Sequence, residues 1–184
     1  EVRGYPIVPS SGVSAAAVID YDRNRKYRIL IGTGDGDLLN YREEGTRTPG
    51  WGFKSQVGRV IVQIHHLRVG NRDYLYAGQD DGSIRLLKRS GADRFDSPVS
   101  VPPEQTPCFR LSQSIASSTV LYSDEQGWIQ ERTFGTNEAV GMSRMTRGIS
   151  VSMEDRDSDG IQEVVVQTVD GEEVWNARNE RISP

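Results

Sequence analysis

The sequence predicts an all-β fold, a β-propeller of about four four-stranded blades, and three observations carry that expectation. The chain of 184 residues repeats one strand–turn–strand pattern four times. Its turn glycines Gly36, Gly82, Gly127 and Gly171 fall 46, 45 and 44 residues apart, the period of a unit of four short antiparallel strands. Between the turns, apolar residues alternate or form short β-branched runs, with no helical periodicity.

The strands of each unit are called A to D. The first copy places A at 15–22 and B at 27–33, then the Asp35-Gly36 turn, then C at 38–41. The second has 60–64, 74–78, Asp81-Gly82 and 84–87. The third is weaker, with 108–111, 119–122, Gln126-Gly127 and 128–130. The fourth reads 149–153, 164–168, Asp170-Gly171 and 173–175. A glycine pair between two β-rich runs is a strong short-range hairpin signal, and it predicts type I′ turns with both central residues left-handed.

A second glycine (Gly45, Gly91 or Gly135) closes strand C eight or nine residues after the turn glycine. Strand D is then expected at 50–53, around Phe95 and around Val140. Blades follow at about 12–55, 58–100, 105–142 and 146–184, within one domain spanning 1–184. The fourth copy ends at Pro184 without room for its own D, while 4–8 has the character of an orphan D strand. Gly4 precedes Gly36 by 32 residues, as Gly50 precedes Gly82. Strand 4–8 is therefore expected to complete the last blade and remove two open edges. The alternative is that the chain is half of a larger ring, pairing with a second copy through blade edges.

Strands A and B of the fourth unit are joined by Asp155-Arg156-Asp157-Ser158-Asp159-Gly160-Ile161-Gln162-Glu163. Calcium takes six to eight hard oxygen ligands. The carboxylates of Asp155, Asp157, Asp159 and Glu163 with the backbone carbonyl of Ile161 form such a set, and Gly160 permits the sharp turn. The bland alternative is an Asp-rich turn whose carboxylates only accept backbone N–H groups. Three carboxylates within five residues repel one another, which favours a structural Ca²⁺. The matching loop of unit one, 20–28, keeps oxygens at Asp20, Asp22 and Asn24. It puts Arg28 at the last ligand position and adds Arg23, Arg25 and Lys26, so no cation is expected there. Units two and three have lost the pattern.

On these residues the chain resembles the FG-GAP and VCBS type of β-propeller repeat, in which an Asp-x-Asp-x-Asp-Gly loop precedes a strand and a glycine-turned hairpin. The match is good in unit four, partial in unit one and architectural elsewhere. The stretches 64–74 and 81–87 also look similar to the propeller region of large uncharacterised proteins of Bacteroidetes-type bacteria. These resemblances imply a secreted or cell-envelope protein concerned with adhesion or recognition; the second carries no known activity with it.

Composition narrows the alternatives. The net charge is −4 with acids and bases interspersed, so neither nucleic acid nor a membrane surface is an expected partner. No apolar run reaches bilayer length, so no membrane insertion is expected. The chain opens at Glu1 without a leader and reads as a processed product or a segment of something longer. One cysteine, Cys108, excludes an internal disulfide and reads as a small buried residue. The glycine-rich 32–36 precedes a strand and lacks the Lys-Ser/Thr of a phosphate loop. His65 and His66 are expected to face core and solvent in turn and, as the only histidines, give a catalytic triad no support. Trp51, Trp128 and Trp175 read as blade-packing residues, an exposed one being a candidate for glycan stacking.

The expected function is a non-catalytic binding or scaffolding module for a protein or glycan partner. The competing class is a carbohydrate-active lyase or hydrolase sited in a central channel, kept open by Arg110, Glu154 and His66. A third reading is a purely architectural domain assembling into a larger ring.

Overall fold

The computed structural model describes residues 4–21 and 23–182. Among them there is no helix. Thirteen strands form four small antiparallel sheets. The first sheet orders β1 (Val13–Ile19), β2 (Arg28–Thr33) and β3 (Leu38–Arg42). The second is four-stranded, with β4 (Ile61–Val69), β5 (Arg72–Gln79), β6 (Ser83–Lys88) and β7 (Asp93–Ser100). The third holds β8 (Cys108–Arg110), β9 (Thr119–Ser123) and β10 (Ile129–Thr133). The fourth holds β11 (Ser150–Glu154), β12 (Glu163–Thr168) and β13 (Gly171–Trp175). Central strands such as β9 and β12 are runs of Val, Leu and Tyr because both their faces are covered.

The chain divides into two compact units, Glu1–Ser97 and Pro98–Pro184. In the first, Leu30, Leu38, Ile61, Leu75 and Leu87 make a core to which Trp51 and Phe53 add their rings. Ser14 Oγ donates to the Ile61 carbonyl at 2.7 Å, and Gly32 leaves room for that carbonyl. In the second, Leu121, Ile129, Met142, Val164, Val166 and Trp175 pack with Cys108 and Met153. Burying a side chain of this size contributes about 1.5–3 kcal/mol.

The hairpins are of another kind than the sequence suggests. Gly36, Gly82 and Gly127 donate to the carbonyls of Thr33, Gln79 and Asp124, three residues back. Only the glycine of each pair is left-handed, at φ 86, 83 and 78°. This is the three-residue loop with a glycine bulge, and its cause is the preceding residue. Asp or Gln at that place stays right-handed, so only glycine occupies the region that costs other residues about 1–2 kcal/mol. The C–D turns repeat the geometry, with Gly45, Gly91 and Asn179 donating to Arg42, Lys88 and Asn176. In the third sheet the left-handed residue is Asn137, and its N–H reaches Thr133 four residues back; Gly135 does not have that role.

Among the described residues only β7 is a regular strand D, and elsewhere D is a broken return. In the first sheet Arg47 bridges Tyr41 and Thr48 N–H donates to Asn40, while 50–53 form no strand. In the third, Ala139 bridges Arg132 and Arg147 bridges Trp128 on either side of a detour through 140–145. That return runs on to Gly148, past the expected blade end at 142. In the fourth, Arg181 bridges Trp175, so this sheet does start a D segment of its own. Each return is tied to strand C by a polar side chain. Asn40 accepts from Thr48 Oγ1 at 2.7 Å, and Arg85 is bidentate to Asp93 at 2.7 and 2.9 Å. Glu131 accepts from Met142 N–H, and Glu173 pairs with Arg181 at 3.1 Å.

Residues 4–8 form no strand either. Tyr5 Oη donates to the Glu43 carbonyl at 2.7 Å, Gly4 lies against Glu44 and Gly45, and Ile7 packs on Ile31, Leu39 and Tyr41. The 50–53 segment meets the second sheet in a comparable place. Trp51 lies over Gly91, where an added Cβ would sit 2.7 Å from its ring. Each aromatic thus meets the C–D turn of the sheet that follows it in sequence, Trp51 on the turn glycine and Tyr5 through its hydroxyl on the Glu43 carbonyl.

Candidate metal loop and surrounding charge clusters

The A–B loop of the fourth sheet brings Asp155, Asp157 and Asp159 together, with one carboxylate oxygen from each lying within 4.8 Å of the others. All three are exposed. The backbone shapes this. Ser158 and Gly160 are left-handed, at φ 62 and 87°, and curl the loop on itself. Gly160 N–H donates to Asp155 Oδ2, Asp159 N–H to Asp157 Oδ1 and Ile161 N–H to Asp159 Oδ1, at 2.7–3.2 Å. Each aspartate so held keeps a further oxygen for another partner.

Glu163, the first residue of β12, lies apart from the trio. It is only 4% exposed and accepts the Arg156 N–H at 2.9 Å. The Arg156 side chain turns away, to Glu154 at 2.7 Å and Glu172 at 3.0 Å, and these carboxylates raise its already high pKa. Ile161 is half-exposed at the loop's end. The backbone N–H bonds of the bland alternative and the carboxylate convergence of a cation site thus coexist in one loop.

The candidates for chemistry elsewhere are engaged in packing. His65 stands edge-on to Tyr76, with ring centroids 5.4 Å apart, and burial pushes its pKa below the usual 6.5. His66 meets Asp73 at 2.9 Å and Tyr21 edge-on. Both rings are half-buried, because both faces of β4 are covered, so the expected core-and-solvent split does not hold. Burial, with the Glu131 charge behind it, pushes the Cys108 thiol up to about 12. Arg110 pairs with the buried Glu131 at 3.2 Å. Trp175 is in the core, Trp128 is stacked under Arg147 at 4.3 Å, and Trp51 donates to the Leu38 carbonyl at 2.6 Å.

The two units differ in charge in a way the interspersed sequence conceals. Residues 1–97 carry fifteen Lys and Arg against twelve Asp and Glu; residues 98–184 carry seven against fourteen. The signal was countable, but it needed the boundary at Ser97 to count from.

No family model matches the chain, and no curated protein matches it. Among solved structures it is similar to the computationally designed Ika4 protein, with a TM-score of 0.54 at 13% identity over 92% of this chain and 93% of that one. It is also similar to BBS1N in a complex with ARL6DN, with a TM-score of 0.61 at 16% identity over 95% of this chain. A second BBS1N–ARL6DN structure gives 0.55 at 15% identity. The chain spans 55% of the BBS1N chain. Identities this low speak of fold alone, and the likeness to BBS1N makes this fold β-propeller-like.

Proposed function

We propose that the chain is a non-catalytic binding or scaffolding module, each sheet one blade of a four-bladed propeller, with a structural calcium ion in the loop 155–163. The observation that carries the metal reading is the convergence of three exposed carboxylates, one oxygen of each lying within 4.8 Å of the others. A divalent cation there removes the mutual repulsion of the aspartates. Exposed oxygens on a loop suit a weak site, about 0.1–1 mM, matched to calcium outside the cell. This agrees with a secreted or envelope location and with the resemblance to FG-GAP and VCBS repeats.

The non-catalytic reading draws on the state of the reactive groups. Among the described residues, the half-buried thiol has its pKa pushed up, away from the reactive thiolate, and the histidines are packed against aromatic rings. The test is calorimetric titration of the EDTA-stripped chain with CaCl₂, with sedimentation equilibrium on the same samples. One ion per chain with a mass independent of calcium is expected. Heat-free titration with an unchanged melting temperature would remove the metal from the reading, and a calcium-dependent doubling of mass would favour the paired ring.

A further inference from the structure

A second charge cluster lies in the first unit, and topology assembles it. In a four-stranded meander the A–B and C–D turns meet at the same end of the sheet. In the second sheet that end receives Arg72 from the start of β5, Lys88 from the end of β6, Arg89 from the following turn and Arg94 from β7. Lys88 is directly paired with Tyr74, two residues from Arg72. These side chains, with Asn71, Asp73, Tyr74 and Ser90, line a cleft of about 630 Å³.

The one carboxylate in the cleft is already neutralised. Asp73, its side chain 7% exposed, meets His66 at 2.9 Å, Arg68 at 3.7 Å and Arg89 at 3.9 Å. Arg89 is further fixed by stacking over the buried Tyr21 ring at 5.0 Å. Arg72, Lys88 and Arg94 are exposed, and none of them has an ion-pair partner among the described residues. The cleft therefore combines a preorganised guanidinium with three uncommitted cations, a field that attracts anions. It continues through Arg89 and Ser90 into a second hollow of about 360 Å³, walled by Thr48, Pro49, Gly50 and Trp51.

We propose that these joined clefts bind an acidic glycan, its carboxylate or sulfate groups on Arg72, Lys88, Arg89 and Arg94 and a sugar ring beside Trp51. The inference rests on the binding-module reading above and gives it a partner class. At about 630 and 360 Å³ the two hollows hold more than a single inorganic anion fills. Cations interleaved with the hydroxyl of Ser90 and the amide of Asn71, beside the flat edge of Trp51, match a polyhydroxylated, charged chain. The metal loop plays no part, so binding should persist in EDTA.

The experiment is calorimetric titration of the full chain in EDTA at low salt with four probes. These are a hexagalacturonate carrying carboxylates, a heparin-derived hexasaccharide carrying sulfates, neutral maltohexaose and a short oligothymidylate. Saturable binding of either acidic saccharide is expected, weakening with added salt, and which of the two binds identifies the acid group. The exposed double variant Arg72→Glu/Arg94→Glu, its fold checked by circular dichroism, should lose about tenfold or more in affinity. Arg144→Glu/Arg178→Glu in the other unit should lose nothing. The proposal is overturned if neither acidic saccharide binds, if maltohexaose binds equally, if the double variant binds undiminished, or if the oligothymidylate binds most tightly. Mass spectrometry of the recovered probe separates the two claims. A shortened saccharide sinks the non-catalytic reading and leaves the cleft assigned, whereas an intact one that fails to bind sinks the cleft alone.

Discussion

The A–B loops of the first and fourth sheets follow one path with opposite chemistry. Asp20 accepts the N–H of Arg25 at 2.8 Å, and Asp155 accepts that of Gly160 at 3.1 Å, each five residues on. Asn24 accepts from Lys26 as Asp159 does from Ile161. Arg23 and Arg25 are left-handed at φ 52 and 64°, in the places of Ser158 and Gly160. What differs is charge: Arg23, Arg25, Lys26 and Arg28 in one loop, and Asp157, Asp159 and Glu163 at the ligand positions of the other. The comparison teaches that backbone hydrogen bonds at the first and fifth positions suffice to hold this loop's shape. A cation is then an addition to the shape and no precondition of it.

The comparison breaks most visibly under metal. Saturating calcium should raise the melting temperature by roughly 5–10 °C when the ion stands at about a hundredfold over its dissociation constant. Asp157→Asn should abolish that rise, while Asp20→Asn should leave it intact. An equal response in both variants, read by differential scanning fluorimetry, would show that the two loops are not functionally distinct. Next in size is Glu163→Gln. It keeps the acceptor for Arg156 N–H but removes the buried charge, so the calcium-free protein should gain up to about 1 kcal/mol and the calcium-bound one should lose affinity. Urea unfolding in EDTA and in calcium tests the two signs.

A graft sharpens the contrast. Arg23→Ser, Asn24→Asp, Arg25→Gly and Arg28→Glu together rebuild the acidic pattern on the first loop, and the calcium stoichiometry should rise from one to two. Atomic absorption after gel filtration in calcium reads the number. The smallest effect is Arg25→Gly alone, which relieves a left-handed arginine. It should stabilise by about 1 kcal/mol without conferring metal binding, and a lower urea midpoint would contradict the assigned strain.

The repeat was legible because three signals share one period: β-branched runs, turn glycines and the spacing between them. The Asp155–Glu163 pattern was equally plain, since its residue types sit at fixed offsets within nine positions. Strand D was legible only in the second copy, where β7 contains Phe95. In the other copies a few bridges and one polar side-chain pair hold the return, such as Thr48 on Asn40 or Arg181 on Glu173, and such contacts have no local periodicity. Turn type was missed for a related reason. Asp35-Gly36 satisfies two hairpin patterns, and the choice depends on which residue takes the left-handed position. Spacing likened the segment 4–8 to 50–53 as a strand D, yet neither forms a strand, because spacing does not say whether a segment pairs or is held by isolated contacts such as Tyr5 on Glu43 and Trp51 on Gly91. The cationic cleft was invisible because Arg72, Lys88 and Arg94 are interrupted in sequence by acids and meet only through the meander.

The broken returns along strand C have a consequence for the behaviour of this chain in concentrated solution. A long, straight, unpaired strand invites a second molecule to add to it, and that is how soluble β proteins begin to aggregate. In the first, third and fourth sheets that flank presents isolated bridges, a detour at 140–145 and arginines at 47, 147 and 181. An incoming strand would find a few spaced amides and repelling guanidinium groups in place of a continuous template. Irregularity at this flank is itself a safeguard of solubility.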